Sequence, residues 1–154
     1  MVLYLVQHAE AKTAEEDPAR DLTPKGRIDM ENVAHHLKRL QVQVSRIVHS
    51  GKTRAQSTAT VLATHLKPLA GVSEAPGLAP LDDPEIWAAR LAPMDEDILL
   101  VGHLPHLAGL AALLMTGDKE RMVINFQMGG VVRLRRMAAA QWAVDWMVVP
   151  EIIL

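Results

Sequence analysis

Short apolar runs, each too short for a buried helix, constrain the fold of this chain more than any other feature. Residues 2–6 and 98–101 are such runs, and at this length they favour buried strands. Residues 44–49 and 71–74 are further predicted strands. Apolar residues at three- and four-residue steps lie between the runs, which is typical of amphipathic helices. Strands that alternate with helices predict an α/β three-layer sandwich, with a mainly parallel sheet covered by helices on both faces.

Local signals set the element boundaries. Thr23-Pro24 predicts a helix start, because threonine caps helices and proline suits the first helical position. Further helices are predicted over 55–66 and 85–91, and another has Pro105 near its start. After Gly117 the pattern changes, and strands are predicted over 122–126, 131–135 and 144–149. The first two of these form a predicted hairpin around Gly129-Gly130, which gives the sheet an antiparallel edge and makes it mixed.

Composition limits the classes of function. A length of 154 residues fits one domain over 1–154. The 16 Lys and Arg against 18 Asp and Glu leave a formal charge of -2, which offers no field for nucleic acid or anionic lipid. The chain has no cysteine, which excludes disulfides and cysteine-based metal sites. No apolar leader or membrane span is evident. We therefore expect a cytoplasmic protein with neither nucleic-acid nor membrane partners.

Three polar residues stand just after predicted strands. His8 follows the first strand, Arg54 the second and His103 the strand over 98–101. Ligands of open α/β sheets bind at the carboxyl ends of the strands. A neutral histidine can attack phosphorus, an arginine fork can pair two phosphate oxygens, and a protonated histidine can donate to a third. The sequence therefore predicts a pocket for phosphate or sulfate.

Four sequence blocks together resemble the histidine phosphatase, or phosphoglycerate mutase-like, superfamily. They are LVQHAEA (5–11), DLTPKG (21–26), HSGKTRAQSTA (49–59) and LVGHLP (100–105). Within the superfamily, the small size and the last block are similar to the SixA-type phosphohistidine phosphatases. The resemblance implies a phosphoglycerate mutase-like fold and a metal-independent phosphohydrolase without a cofactor. His8 is then the nucleophile, Arg54 the phosphate clamp and His103 the second pocket histidine.

Further residues of these blocks are predicted to bind substrate, namely Gln7, Glu10, Ser57 and Leu104. Two positions depart from the family pattern, since Gln7 and Ala9 stand where arginine and glycine are usual. Glutamine donates hydrogen bonds without a charge, and one lost charge-assisted contact weakens phosphate binding by roughly 1.5–3 kcal/mol. Lys25 and Lys52 are candidates to replace that charge. Alanine also tolerates positive φ less well than glycine.

The segment between Arg54 and His103 is too short for a lid, which predicts a shallow, open pocket. Such a pocket suits a phosphate displayed on a protein better than an enclosed metabolite. The expected substrate is phosphohistidine in a partner such as a histidine-containing phosphotransfer domain. A small phosphoester, or a weakly active phosphoprotein-binding module, remains an alternative. Asp82, Asp83 and Glu85 are the only acids of the segment placed to act as a general acid. No helix carries the paired histidines of a zinc site, so no metal is expected.

Overall fold

The computed structural model describes residues 1–153. The strands are β1 (Val2–Gln7), β2 (Arg46–His49), β3 (Val72–Glu74), β4 (Ile98–Gly102), β5 (Val131–Arg136) and β6 (Trp142–Val148). The helices are α1 (Pro24–Arg39), α2 (Thr53–Leu66), α3 (Pro84–Leu91) and α4 (His106–Thr116), with short 3-10 turns at 138–140 and 150–152. No helix among the described residues is long and apolar enough to cross a bilayer.

The six strands form one mixed sheet in the order β3-β2-β4-β1-β5-β6. The first four strands of that order are mutually parallel, whereas β5 pairs antiparallel with both β1 and β6. Alternate residues of β1 enter different cores: Tyr4 and Val6 face the core that includes α1 and α2, and Leu3 and Leu5 face the one that includes α3 and α4. The predicted three-layer sandwich with an antiparallel edge is confirmed.

The start of α1 is as predicted and is tied to the loop after β1. The Thr23 hydroxyl accepts a hydrogen bond from Gly26 N at 3.0 Å, and Pro24 occupies the first helical position. Gly26 packs so closely on the carbonyl of Glu10 that a methyl group there would overlap it. A glycine is therefore required where the first turn of α1 meets the chain two residues beyond His8.

The strand predicted over 122–126 is wrong. These residues are irregular, although Ile124 and Phe126 are buried beside α4 while Met122 and Val123 are exposed. The segment does alternate between buried and exposed apolar residues. However, β1 is already paired with β4 on one edge and with β5 on the other, so the segment packs against the sheet without joining it.

The predicted hairpin around Gly129-Gly130 is wrong for the same reason. Gly129 N instead donates to the carbonyls of Gln7 and His8, at 3.0 and 3.2 Å. The antiparallel hairpin of the sheet is formed by β5 and β6, which are joined through residues 137–141. The segment before β5 therefore ends against the last residues of β1.

Candidate active site

The strand order brings the two predicted histidines side by side. His8 follows β1 and His103 follows β4, which are parallel neighbours, and the His8 N–H donates to the Gly102 carbonyl at 3.0 Å. Their ring centroids are 5.0 Å apart, with an interplanar angle of 51°. β2 lies on the other side of β4 and leads through a short turn into α2, which carries Arg54.

The hydrogen bond of His8 defines which nitrogen can act as a nucleophile. Nδ1 lies 2.7 Å from the carbonyl oxygen of Ala9. A carbonyl only accepts, so Nδ1 carries the hydrogen and the lone pair is on Nε2. The side chain is buried, and burial lowers the pKa of His8 while Arg54 and Arg20 lower it further against the effect of the Ala9 bond. His8 is thus a neutral imidazole with Nε2 free to attack.

His103 is also held neutral. It is 1% exposed, and Nε2 lies 2.6 Å from the Ser50 hydroxyl at the end of β2. Burial, together with nearby His8 and Arg54, lowers the pKa of His103 to about 3. In this state the ring offers one N–H donor. The protonated form considered from the sequence would require an anion in the pocket to offset these effects.

Arg54 is a cation without a carboxylate partner. Within residues 1–153 its guanidinium forms no ion pair, and its buried Nε has no hydrogen-bond acceptor. The side chain is half-buried, and a charge partly withdrawn from water is stabilised by a partner. A phosphate dianion in front of Nε2 of His8 would supply the missing partner, and the planar guanidinium suits two of its oxygens.

A second cation near these groups was missed by the sequence reasoning. Arg20 lies close enough to lower the pKa of both His8 and Arg54. Its backbone has a φ of 54°, which is uncommon for arginine, and Asp17 holds this turn by accepting from the N–H groups on both sides. The Arg20 Nε donates to the Lys12 carbonyl at 3.1 Å. Only the folded loop shows that residue 20 lies near His8 and Arg54.

Arg20 takes the place that the two lysines were predicted to fill. Lys25 is exposed and pairs with Asp29 at 2.7 Å, outside the pocket. Lys52 occupies the N-cap position of α2 without a side-chain cap bond, and it lies close enough to His103 to lower its pKa. Gln7 thus carries no charge before His8, and the nearby cations Arg54 and Arg20 come from α2 and from the loop before α1.

The Thr58 hydroxyl links the chain just after His8 to the backbone of Arg54. It accepts from Ala9 N at 3.0 Å and donates to the Arg54 carbonyl at 2.8 Å, in a fully buried position on α2. Ala9 is itself buried and does not adopt positive φ, so alanine at this position brings no backbone strain. A threonine four residues after the arginine was the available sequence signal, but hydroxyls on helices usually bond within their own helix.

The four predicted substrate-binding residues lie in different settings. Gln7 is 9% exposed, and its buried Oε1 has no donor among the described residues. The Glu10 carboxylate accepts from the Thr23 hydroxyl at 2.8 Å, and Ser57 donates to Asp21 at 2.6 Å. Glu10 and Ser57 therefore form hydrogen bonds that connect the segments around the pocket. Leu104 follows His103 and is exposed at the rim.

The three candidate acids lie around the start of α3, and their hydrogen bonds and ion pairs do not involve His8 or His103. Asp83 caps α3 by accepting from Glu85 N and pairs with Lys119 at 3.1 Å, and these contacts lower its pKa. Glu85 lies 3.7 Å from the same lysine, and Asp82 accepts from Ala79 N at 2.9 Å. Asp83 is thus held ionised and is unsuited to donate a proton. Residues 1–153 contain no group of three or more histidine, aspartate or glutamate side chains that could hold a metal ion.

Comparison with known proteins gives the family context for this geometry. The model of the histidine phosphatase superfamily (branch 1) matches residues 3–82. An uncharacterised protein of Picosynechococcus is 33% identical over 147 residues, which cover 90% of this chain and 87% of that protein. The phosphohistidine phosphatase SixA of Escherichia coli is 27% identical over 127 residues, covering 79% of each chain.

Solved structures agree on the fold. The protein histidine phosphatase SixA complexed with tungstate superposes with a TM-score of 0.85 at 23% identity, and the match covers 97% of both chains. A putative alpha-ribazole-5'-P phosphatase of Escherichia coli superposes with a TM-score of 0.77 at 18% identity, again over 97% of both chains. The same architecture thus occurs in phosphatases named for a protein substrate and for a small molecule.

Proposed function

The chain belongs to branch 1 of the histidine phosphatase superfamily, and on that premise we propose that it is a metal-independent protein phosphohistidine phosphatase that works through a phosphohistidine at His8. The observation that carries this proposal is the neutral His8, whose free Nε2 lies beside a guanidinium without a carboxylate partner. A single domain over 1–154, a cytoplasmic location and the absence of nucleic-acid and membrane partners stay predictions.

The first step is an in-line displacement at phosphorus. The Nε2 lone pair of His8 forms the new N–P bond. The N–P bond to the substrate imidazole breaks with its electron pair returning to that imidazole, which has taken up a proton from solvent at its other ring nitrogen and leaves in the neutral form. Arg54 pairs with two equatorial oxygens, and the N–H of His103 donates to another as charge develops. A protonated imidazole leaves readily, so this substrate needs little help from a general acid.

The second step returns the enzyme to its starting state. Water attacks phosphorus, the bond to Nε2 breaks, and its electron pair returns to His8 while the proton of water passes to the departing phosphate. The Nδ1 bond to Ala9 keeps the ring in one orientation through both steps. Inorganic phosphate is the product, and no metal or cofactor takes part.

Two features favour a protein substrate. Residues 75–83 form a short loop with no lid, and Leu104 and Pro105 leave the rim exposed. The similarity to the phosphohistidine phosphatase SixA points the same way. A histidine-containing phosphotransfer domain is the proposed partner. The alternative is a small phosphomonoester, favoured by the similar fold of the putative alpha-ribazole-5'-P phosphatase.

The direct test traps the covalent intermediate. Labelled phosphohistidine protein should leave an acid-labile, base-stable label on the wild-type chain and none on His8→Asn, while the exposed His35→Asn serves as a matched control. Turnover should continue in EDTA. A His8→Asn protein that keeps full turnover, or activity abolished by chelator and restored by a divalent ion, contradicts the proposal. Binding of the phosphorylated protein with neither label on the chain nor release of phosphate supports the binding-module alternative instead.

A further inference from the structure

A second cavity opens beside the catalytic histidines. It has a volume of about 500 Å³ and lies between the loop before α3 and the start of α4, with residues 119–122 along its outer side. Pro105 and His106 belong to its wall, two and three residues after His103. Three consecutive peptide units span at most about 11 Å, so a molecule held at His8 is within reach of this cavity.

A buried histidine forms part of the cavity wall. His106 is 2% exposed, and neither of its ring nitrogens has a hydrogen-bond partner within residues 1–153. Burial lowers its pKa, so the ring is neutral and offers one donor and one acceptor. A buried polar group without a partner is costly, and its position at a cavity indicates a ligand that supplies one.

The charge of the cavity is opposite to that of the catalytic pocket. Asp82, Asp83 and Glu120 line it against a single cation, Lys119, which already pairs with Asp83 at 3.1 Å. Within the described residues, Asp82 and Glu120 form no ion pair. The catalytic pocket carries the unpaired Arg54. Such a pair of sites fits a ligand with an anionic and a cationic group side by side.

The wall between these charges is largely apolar. Leu81 and Met122 stand at the rim and are 88% and 73% exposed, and Pro84 and Pro105 line the interior. Large side chains that remain this exposed around a cavity are typical of contact surfaces. An occupant with an apolar stem and a cationic end would cover these side chains and meet the carboxylates.

We propose that this cavity binds a lysine or arginine side chain that lies next to the phosphorylated residue on the surface of a protein substrate. Both side chains have an apolar stem and a charged end, which matches the lining. His106 would accept a hydrogen bond from the cationic group, and Asp82 and Glu120 would balance its charge. A phosphorylated sugar carries no such cation and would gain nothing here. This inference rests on the proposed phosphatase function.

The test compares two substrates. One is a protein phosphorylated on histidine with a neighbouring basic residue, and the other is para-nitrophenyl phosphate, which has no cationic group for the cavity to bind. Glu120→Lys and Leu81→Lys place a cation at the rim, and Leu69→Lys is the control because Leu69 is fully exposed away from the cavity.

Each cavity variant should lower the ratio of kcat/KM for the protein to that for the aryl phosphate at least fivefold, mainly through KM. Replacing the basic residue of the substrate by alanine should remove the difference between variants and wild type.

The outcomes separate the two proposals. An unchanged ratio in both cavity variants overturns the cavity proposal, and so does an equal loss in Leu69→Lys. Wild-type turnover of the aryl phosphate without turnover of the protein overturns both the cavity proposal and the protein substrate of the proposed function, and leaves the His8 mechanism intact. A wild-type chain that hydrolyses neither substrate contradicts the proposed function itself.

Discussion

At the scale of residues, the pocket combines neutral histidines with cations that have no carboxylate partner. His8 keeps Nε2 free because Nδ1 is bonded to Ala9, and His103 is neutral because it is buried beside other positive groups. The charge that is absent at Gln7 has a counterpart in Arg20, which influences both His8 and Arg54. This arrangement predicts that anion binding depends on Arg20.

Arg20→Gln should weaken binding of vanadate or phosphate. Losing one charge-assisted contact costs roughly 1.5–3 kcal/mol, or about 10- to 150-fold in Kd. Gln7→Arg placed in the Arg20→Gln background should restore most of the affinity, since it returns the charge to the position usual in the family. Titration calorimetry measures both effects, with the exposed Arg39→Gln as control. Equal affinity of wild type and Arg20→Gln would show that Arg20 does not contact the anion.

At the scale of elements, one hydroxyl joins the loop after β1 to α2. The Thr58 hydroxyl accepts a hydrogen bond from the N–H of Ala9 and donates one to the carbonyl of Arg54, so the backbone beside His8 and that of Arg54 keep their relative position. Glu10 with Thr23, and Ser57 with Asp21, connect the same loop to α1 and α2. The pocket is therefore held by contacts between elements that are far apart in sequence.

Thr58→Val should destabilise the fold and lower kcat. It keeps the shape of threonine but leaves the buried N–H of Ala9 without an acceptor, which costs about 1–3 kcal/mol. Thr58→Ser retains the hydroxyl and should keep most of kcat. Thr64→Val is the control at an exposed position of the same helix and should have little effect on kcat or on the free energy of unfolding. Urea unfolding and single-turnover rates provide the measurements. A Thr58→Val protein with wild-type kcat would exclude the linking role.

At the scale of the whole molecule, buried histidines make the fold sensitive to acid. The pKa values of His8, His49, His103 and His106 all lie below the ordinary value of 6.5, with burial as the main cause. A lowered pKa in the folded state means that the unfolded chain binds protons more readily below pH 6.5. The stability that these four histidines contribute in their neutral form is therefore complete above pH 6.5 and is lost as the pH falls. For His103 the loss continues down to its folded-state pKa of about 3.

The free energy of unfolding should decrease from pH 6.5 to 5. Each fully shifted histidine contributes about 1.4 kcal/mol per pH unit to that slope. His103→Gln should reduce the slope by about one such contribution, because glutamine does not titrate. Urea titrations of both proteins at several pH values between 6.5 and 5 measure the difference. Identical slopes would mean that folding does not lower the pKa of His103.

The sequence by itself determined the elements and the order of the polar groups. Short apolar runs and helical periodicity are local properties, so β1, β2, β4 and the capped start of α1 could be predicted from them. The position of His8, Arg54 and His103 just after predicted strands was enough to expect one pocket, because parallel strands share their carboxyl edge. The residue types then pointed to phosphate chemistry.

Only the tertiary structure decided which segments pair and which loops reach the pocket. Residues 122–126 have the alternation of a strand, yet both edges of β1 are occupied by β4 and β5. Which segments pair with a given strand depends on the whole chain and cannot be read from the residues of one segment. Arg20 lies near the site through a loop with positive φ and carries no signal in its own segment, whereas Ser50 belongs to the block at 49–59 but its contact with His103 depends on the pairing of β2 with β4. Burial and proximity of charge, which set the neutral state of His103, exist only once the chain has folded.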